Sequence, residues 1–226
     1  MLWLGIETAT DEASATLRRG ETVVAEHSFP PDQRLCARLA PTLKVMLVSA
    51  GADWSDLGGI AVDIGPGRFT SLRIGVATAK ALAWQSGCPL VGVNSLEVLA
   101  EDAGARGETS ILALLKAPRE QFFAAGYRQE AGLREVFGPR LLPPTELAGV
   151  LAELPAPRVV VGATRGLASG PADIAPPSPP RAAALLRRAQ AHLAQGAPTD
   201  PLSLDPFYLA APGVTLPTPA ASKPAR

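Results

Sequence analysis

With 226 residues, 47% of them apolar, the chain is long enough to bury one substantial core or two small ones. Its 21 basic residues cancel its 21 acidic ones, so no overall field draws it to nucleic acid or an anionic membrane surface, and the excess of positive charge usual for a primary RNA-binding module is missing. Cys36 and Cys88, the only cysteines, lie far apart and form no C-x-x-C, which predicts two small core residues in a reduced compartment. No uncharged apolar run approaches the roughly twenty residues needed to cross a bilayer. No basic-then-apolar leader precedes the first apolar run. A cytoplasmic protein without membrane association is expected.

In chain order, Leu2 to Ile6 reads as a strand, turned by Glu7-Thr8-Ala9-Thr10-Asp11. Ala13 to Arg18 and Thr22 to His27 read as a hairpin around Arg19-Gly20-Glu21. Pro30-Pro31 breaks the pattern and offers Asp32 as an N-cap. From Gln33 to Ala50, Leu35, Leu39, Leu43, Met46 and Leu47 form one helical stripe. After a link at Ser55-Asp56-Leu57 comes the central stretch Gly59 to Gly75, GIAVDIGPGRFTSLRIG. Ile60 to Ile64 is an apolar, β-branched strand, stopped by Gly65-Pro66-Gly67. Thr70 is placed to cap a helix, with Phe69 and Ile74 spaced as a hydrophobic staple. That helix ends at Gly87, and Pro89 to Val93 is the next strand. A glycine-rich turn opening a helix also suits anions. Its spacing is neither G-x-G-x-x-G nor the P-loop pattern, so a tight turn packing helix on strand is the preferred reading.

Ser95 then caps a helix from Leu96 to Ala103. Ile111 to Lys116, Gln121 to Tyr127 and Leu133 to Leu141 follow as three strands, Pro144 to Leu154 as a helix, Arg158 to Gly162 as a buried strand and Arg181 to Gln195 as a helix. The order is β-β-β-α-β-α-β-α and then β-β-β-α-β-α, a repeat of element order rather than of sequence. It predicts an α/β protein of two ribonuclease-H-like lobes, mixed sheets with flanking helices, the second lobe reduced. Residues 1–104 form the expected first lobe and 105–210 the second, with the boundary near Gly104 to Glu108. Pro171 to Pro180 reads as an extended linker, and residues 211–226 as a disordered tail.

These residues carry a resemblance. Gly65-Pro66-Gly67-Arg68-Phe69-Thr70-Ser71-Leu72-Arg73-Ile74-Gly75 is similar to the G-P-G-S-F-T-G-L-R-I-G signature of the TsaB (YeaZ) family. Ile6-Glu7-Thr8-Ala9-Thr10 resembles its opening I-D-T-S-T, Leu39-Ala40-Pro41 its L-L-P, and Pro206-Phe207-Tyr208-Leu209 its closing P-x-Y-L-R. Departures are Arg68 for serine, Ser71 for glycine, Glu7 for aspartate, Leu35 for a frequent histidine, Lys116-Ala117-Pro118-Arg119 for a D-A-R-like segment, and Ala210 for arginine. The resemblance implies the two-lobed actin/hexokinase/Hsp70 (ASKHA) fold and a non-catalytic partner that dimerises with and activates TsaD. TsaD then transfers threonylcarbamoyl to adenosine next to the anticodon of tRNA. It also implies contact with a TsaE-type ATPase and tRNA only through that complex, and a homodimer when TsaD is absent. The helices Gln33 to Ala50 and Thr70 to Gln85 would dock, with Leu43, Arg68, Phe69, Arg73 and Ala77 as interface residues.

An ATPase or kinase of this superfold, and a glycoprotease-like peptidase, are the alternatives. Glu7, Thr8 and Thr10 are a weak remnant of a nucleotide site, and Glu7 is read first as a cap for local turn amides. In the second half, the turn after Lys116-Ala117-Pro118 is read as lacking both a glycine pair and a carboxylate. His27 and His192, the only histidines, sit in no H-E-x-x-H or G-x-S-x-G context. No catalytic residue, cofactor or metal is expected for the chain alone.

Overall fold

A computed structural model of the chain describes residues 1–31, 34–103, 107–165, 167, 172–175, 181–196 and 200–209. The first sheet has the order β3-β2-β1-β4-β5, with β1 Leu2–Glu7, β2 Ser14–Arg19, β3 Thr22–Ser28, β4 Leu57–Gly65 and β5 Leu90–Asn94. Short turns make β1–β2 and β2–β3 antiparallel, while β1, β4 and β5 run parallel, joined by crossovers through α1 (Leu35–Ser49) and α2 (Phe69–Ser86). Leu39, Leu43 and Leu47 of α1 and Val76 and Ala79 of α2 close over Leu4, Ile6, Leu17, Ile60 and Val62. Leu39 and Val76 face inward and are buried.

The second sheet repeats this connectivity. Its order is β10-β9-β6-β7-β8, with β6 Thr109–Lys116, β7 Phe122–Gln129, β8 Leu133–Leu142, β9 Arg158–Gly162 and β10 Asp173–Ile174. Again three strands meander antiparallel and two add in parallel. One helix, α4 (Leu147–Glu153), precedes β9, and no described helix stands between β9 and β10, so this half is the shorter copy. The two remaining helices are exchanged. From α3 (Ser95–Asp102), which follows the first sheet, Leu96, Leu99 and Ala100 pack on Ile111, Ala113 and Leu115 of the second. From α5 (Ala182–Ala194), which follows the second, Leu185, Leu186 and Ala189 pack on Trp3, Ala61 and Val91 of the first.

Charge complementarity holds α3 to α5. Glu97 accepts from Arg188 Nε at 2.9 Å and faces His192 Nε2 at 2.9 Å, while Arg187 meets Glu101 at 3.1 Å and Arg181 meets Asp102 at 3.6 Å. Burial pushes the Glu97 carboxyl up, but the His192 hydrogen bond and the Arg188 charge outweigh it and hold the group below its ordinary range.

Several expectations are corrected. The link at Ser55-Asp56-Leu57 is a single 3-10 turn, Trp54–Asp56, in which Asp53 accepts from Trp54 N at 2.7 Å, and Leu57 already belongs to β4. Helix α3 is capped by Asn94, which accepts from Leu96 N at 2.9 Å, and not by Ser95. Pro144 to Leu154 is a 3-10 turn, Pro144–Glu146, followed by α4. Within the proline-rich segment, Asp173 and Ile174 pair with Val159 and Val160, so backbone pairing with β9 overrides composition there. Cys88 is buried but Cys36 is exposed. The expected cap Asp32, the helix start at Gln33, the boundary residues 104–106, residues 171 and 176–180 and the tail lie outside the described residues. Among the described residues no helix is long and apolar enough to cross a membrane.

Candidate functional site

Two loops meet where the parallel strands β1 and β4 end. Arg68 N donates to Ala9 O at 2.8 Å, and Arg68 is ion-paired with Asp11. Leu72 N in turn donates to Arg68 O at 3.0 Å, so Arg68 is the N-cap of α2. Thr70 is therefore a helical, exposed residue and not the cap, and the staple spacing based on it does not apply. Gly65 has φ +102, which a side chain resists. Gly67 is needed for a different reason from positive φ: a Cβ there would stand 2.2 Å from Ala9 O. Gly67→Val should push the two loops apart and lower stability by roughly 1–3 kcal/mol, read as a lower melting temperature. A melting temperature equal to that of the unsubstituted protein would mean the loops are not locked together.

Beneath the loops lie two carboxylates. Glu7 and Asp63 each follow the paired residues Ile6 and Val62, so they share one face of the sheet, and both are 0% exposed. Glu7 Oε1 accepts from Ala9 N at 2.6 Å, the local turn cap expected for it. Asp63 Oδ1 accepts from Gly65 N at 2.8 Å and from Ser95 Oγ at 2.5 Å. Thus Ser95 braces Asp63 rather than capping its helix. Glu7 Oε2, Asp63 Oδ2 and Thr8 Oγ1 are buried without a protein partner, while Thr10 Oγ1 accepts from Glu12 N at 3.3 Å. Burial, then the Asp63 charge, raises the Glu7 carboxyl well above its ordinary value. Burial likewise raises Asp63 to about 7, against the lowering pull of Ser95 and the Gly65 amide.

The fold family implies a magnesium-held triphosphate at these strand ends, and the residues present do not fit it. Magnesium wants ionised oxygen ligands. Here the two carboxylates are sealed, driven toward the neutral form, and already engaged by loop amides. Among the described residues no group of three His, Cys, Asp or Glu side chains could hold a metal. The corresponding turn of the second half, between Lys116 and Phe122, has no glycine, but it does carry an exposed carboxylate, Glu120, contrary to the reading above.

The outer layer, α1 and α2, is a different kind of surface. Both helices pack into the same core on the sheet and lie side by side. Their inner stripes are buried, yet Val45 is 64%, Val48 61% and Trp84 71% exposed, with exposed Ala77 and Ala81 giving flat, close access. Of the residues proposed for docking, Arg68, Arg73 and Ala77 are exposed and Phe69 is half-buried. Leu43 is corrected: it is 0% exposed, in the same stripe as Leu39 and Leu47, and contacts only the core. Residues 200–209 run back along α2 as a strap. Leu204 enters the first core, Lys80 Nζ donates to Leu204 O at 2.8 Å, and Phe207 N donates to Ile64 O at 2.6 Å.

Comparison with known proteins agrees with this arrangement. Residues 31–170 match the family model described as TsaD, tRNA N6-adenosine threonylcarbamoyltransferase. The chain is 32% identical over 128 residues to the tRNA threonylcarbamoyladenosine biosynthesis protein TsaB of Escherichia coli, covering 56% of this chain and 55% of that one. The chain belongs to the TsaD family, in its TsaB (YeaZ) branch. The TsaB protein of Bacillus subtilis is 34% identical over 135 residues, 60% of this chain and 58% of that protein. A solved Pseudomonas aeruginosa protein, described as similar to the peptidase YEAZ, superposes with a TM-score of 0.80 at 25% identity, covering 92% of this chain and 99% of that one. The sequence match spans a little over half the length of the two TsaB relatives. The α/β fold expected from the element order, two mixed sheets with flanking helices, is therefore the fold of this chain and is shared with that solved structure.

The sequence reading missed Asp63, Ser95, Val45, Val48 and Trp84. Asp63 had a usable signal, a lone carboxylate inside an otherwise apolar strand next to a glycine turn.

Proposed function

We propose that this TsaB-branch chain is a non-catalytic subunit that docks the outer face of α1 and α2 on TsaD. In that pair it activates TsaD for threonylcarbamoyl transfer to the adenosine next to the anticodon of tRNA. The observation that carries the reading is the unpartnered apolar layer of Val45, Val48, Ala77, Ala81 and Trp84, formed by two parallel helices on an otherwise well-buried lobe. The sealed Glu7–Asp63 pair supports it from the other side, because buried carboxylates already engaged by the Ala9 and Gly65 amides offer little grip on a metal-bound triphosphate. A TsaE-type ATPase and tRNA reach this chain through the TsaD complex, and in the absence of TsaD the same layer pairs with a second copy. Size-exclusion chromatography of this chain with TsaD tests the docking: a single peak of a one-to-one complex is expected, and two independent peaks at micromolar concentrations would overturn it.

A further inference from the structure

The docking reading leaves the first turns of α2 unexplained, and there a cation is held in an unusual way. Arg73 Cζ lies 3.9 Å from the centroid of the Phe69 ring, Arg73 Nε donates to Tyr208 Oη at 2.9 Å, and the Phe69 and Tyr208 rings are 5.0 Å apart. Phe69 from the helix and Tyr208 from the strap, 135 positions beyond Arg73, thus grip one exposed guanidinium. Its two terminal nitrogens have no carboxylate within ion-pairing distance among the described residues, whereas the other cations of this layer are matched. Lys44 meets Asp53 at 2.6 Å, Lys80 meets Asp205 at 3.9 Å, and Arg68 is paired with Asp11. At 3.6 residues per turn, Arg73, Ala77 and Trp84 fall on one stripe of α2.

We propose that Arg73, fixed by Phe69 and Tyr208, is the specificity contact of the docking face, and that it receives a carboxylate from an acidic position on the partner's helical surface. This rests on the docking reading above. Stacking on Phe69 and the bond to Tyr208 restrict the side chain before contact, so less freedom is lost when the carboxylate arrives. The fork of two free nitrogens matches a carboxylate in two parallel hydrogen bonds, which an ammonium cannot reproduce. An apolar stripe with one open, preset cation is also the composition of an interface centre, where arginine and tyrosine dominate binding. The strap is accordingly part of the docking device: Tyr208 positions Arg73.

Calorimetric titration of the full chain with TsaD tests this. Arg73→Ala should weaken binding by about 30-fold or more, and Arg73→Lys should recover less than about a third of the loss on a logarithmic scale. Tyr208→Phe, which keeps the ring and removes only the hydroxyl, should weaken binding by about 3- to 10-fold while leaving the melting temperature unchanged. Arg73→Ala binding within about two-fold of the unsubstituted chain would overturn the proposal, as would full recovery by Arg73→Lys. Ala77→Glu separates the two claims: if it abolishes binding while Arg73→Ala does not, only the arginine contact falls, and if the unsubstituted chain itself does not bind, the docking reading falls.

Discussion

Raising the pH from about 4 to about 8 is expected to destabilise this protein by an amount on the order of a few kcal/mol, and Asp63→Asn is expected to remove the Asp63 share of that loss, leaving the share due to the burial of Glu7. The folded chain buries Glu7 and Asp63 side by side, raising Asp63 from 3.8 to about 7 and Glu7 well above its ordinary value. In the unfolded chain both groups lose their protons near pH 4. Between those limits the folded state holds protons that the unfolded state has released, so stability falls as pH rises through this window. It is flat below the window, where both states are protonated. Glu12 is the other carboxylate acting on Glu7, and it pushes in the same direction. An asparagine at 63 keeps an acceptor for Gly65 N and Ser95 Oγ, and offers its amide to the orphaned Glu7 Oε2. Chemical denaturation at several pH values should therefore give a falling curve for the unsubstituted chain and a flatter one for Asp63→Asn, with the variant the more stable of the two at pH 8. A flat curve for the unsubstituted chain would mean that the carboxylates are solvated.

The second large effect concerns binding rather than folding. Ala77→Glu places a long charged side chain in the middle of the exposed α2 stripe, between Trp84 and the open guanidinium of Arg73 one turn away, which it can also engage. In the free chain the site is open to water, so the melting temperature should shift by less than about 2 °C. Against a packed helix the same charge must be desolvated and the close approach is lost, so affinity for TsaD should fall by about 100-fold or more. An unchanged affinity would move the interface off α2. The contrast with Leu43 is instructive: Leu43→Ala would remove buried volume and lower stability by about 2–5 kcal/mol, and any loss of binding there would report unfolding.

Much of the architecture is legible in the sequence because it is written in local periods. The stripe Leu39, Leu43, Met46 and Leu47 specifies α1 and its inner face, and the β-branched run from Ile60 to Ile64 specifies a buried strand. The meander followed by parallel crossovers then follows from which turns are short and which contain helices. What local pattern does not carry is whatever depends on register or on distant chain. Asp63 acts through its neighbour on β1, which only the Ile6–Val62 pairing brings beside it. Ser95 has the sequence of a cap, but the Asn94 side chain is closer to the first amides and frees Ser95 for Asp63. Arg73 and Tyr208 are separated by 135 positions, and the exchange of α3 and α5 between the two sheets has no local signature at all. Gly67 was readable as an obligatory glycine, but its cause is the carbonyl of Ala9 facing it, a contact between two loops.

The most direct measurement is threonylcarbamoyladenosine formation on unmodified tRNA by TsaD, with its other factors present, in three reactions: no added chain, this chain, and the Ala77→Glu variant. Docking through the α1/α2 layer predicts modification only with the unsubstituted chain, and little above background in the other two. Equal modification without this chain, or full modification with Ala77→Glu, would contradict it.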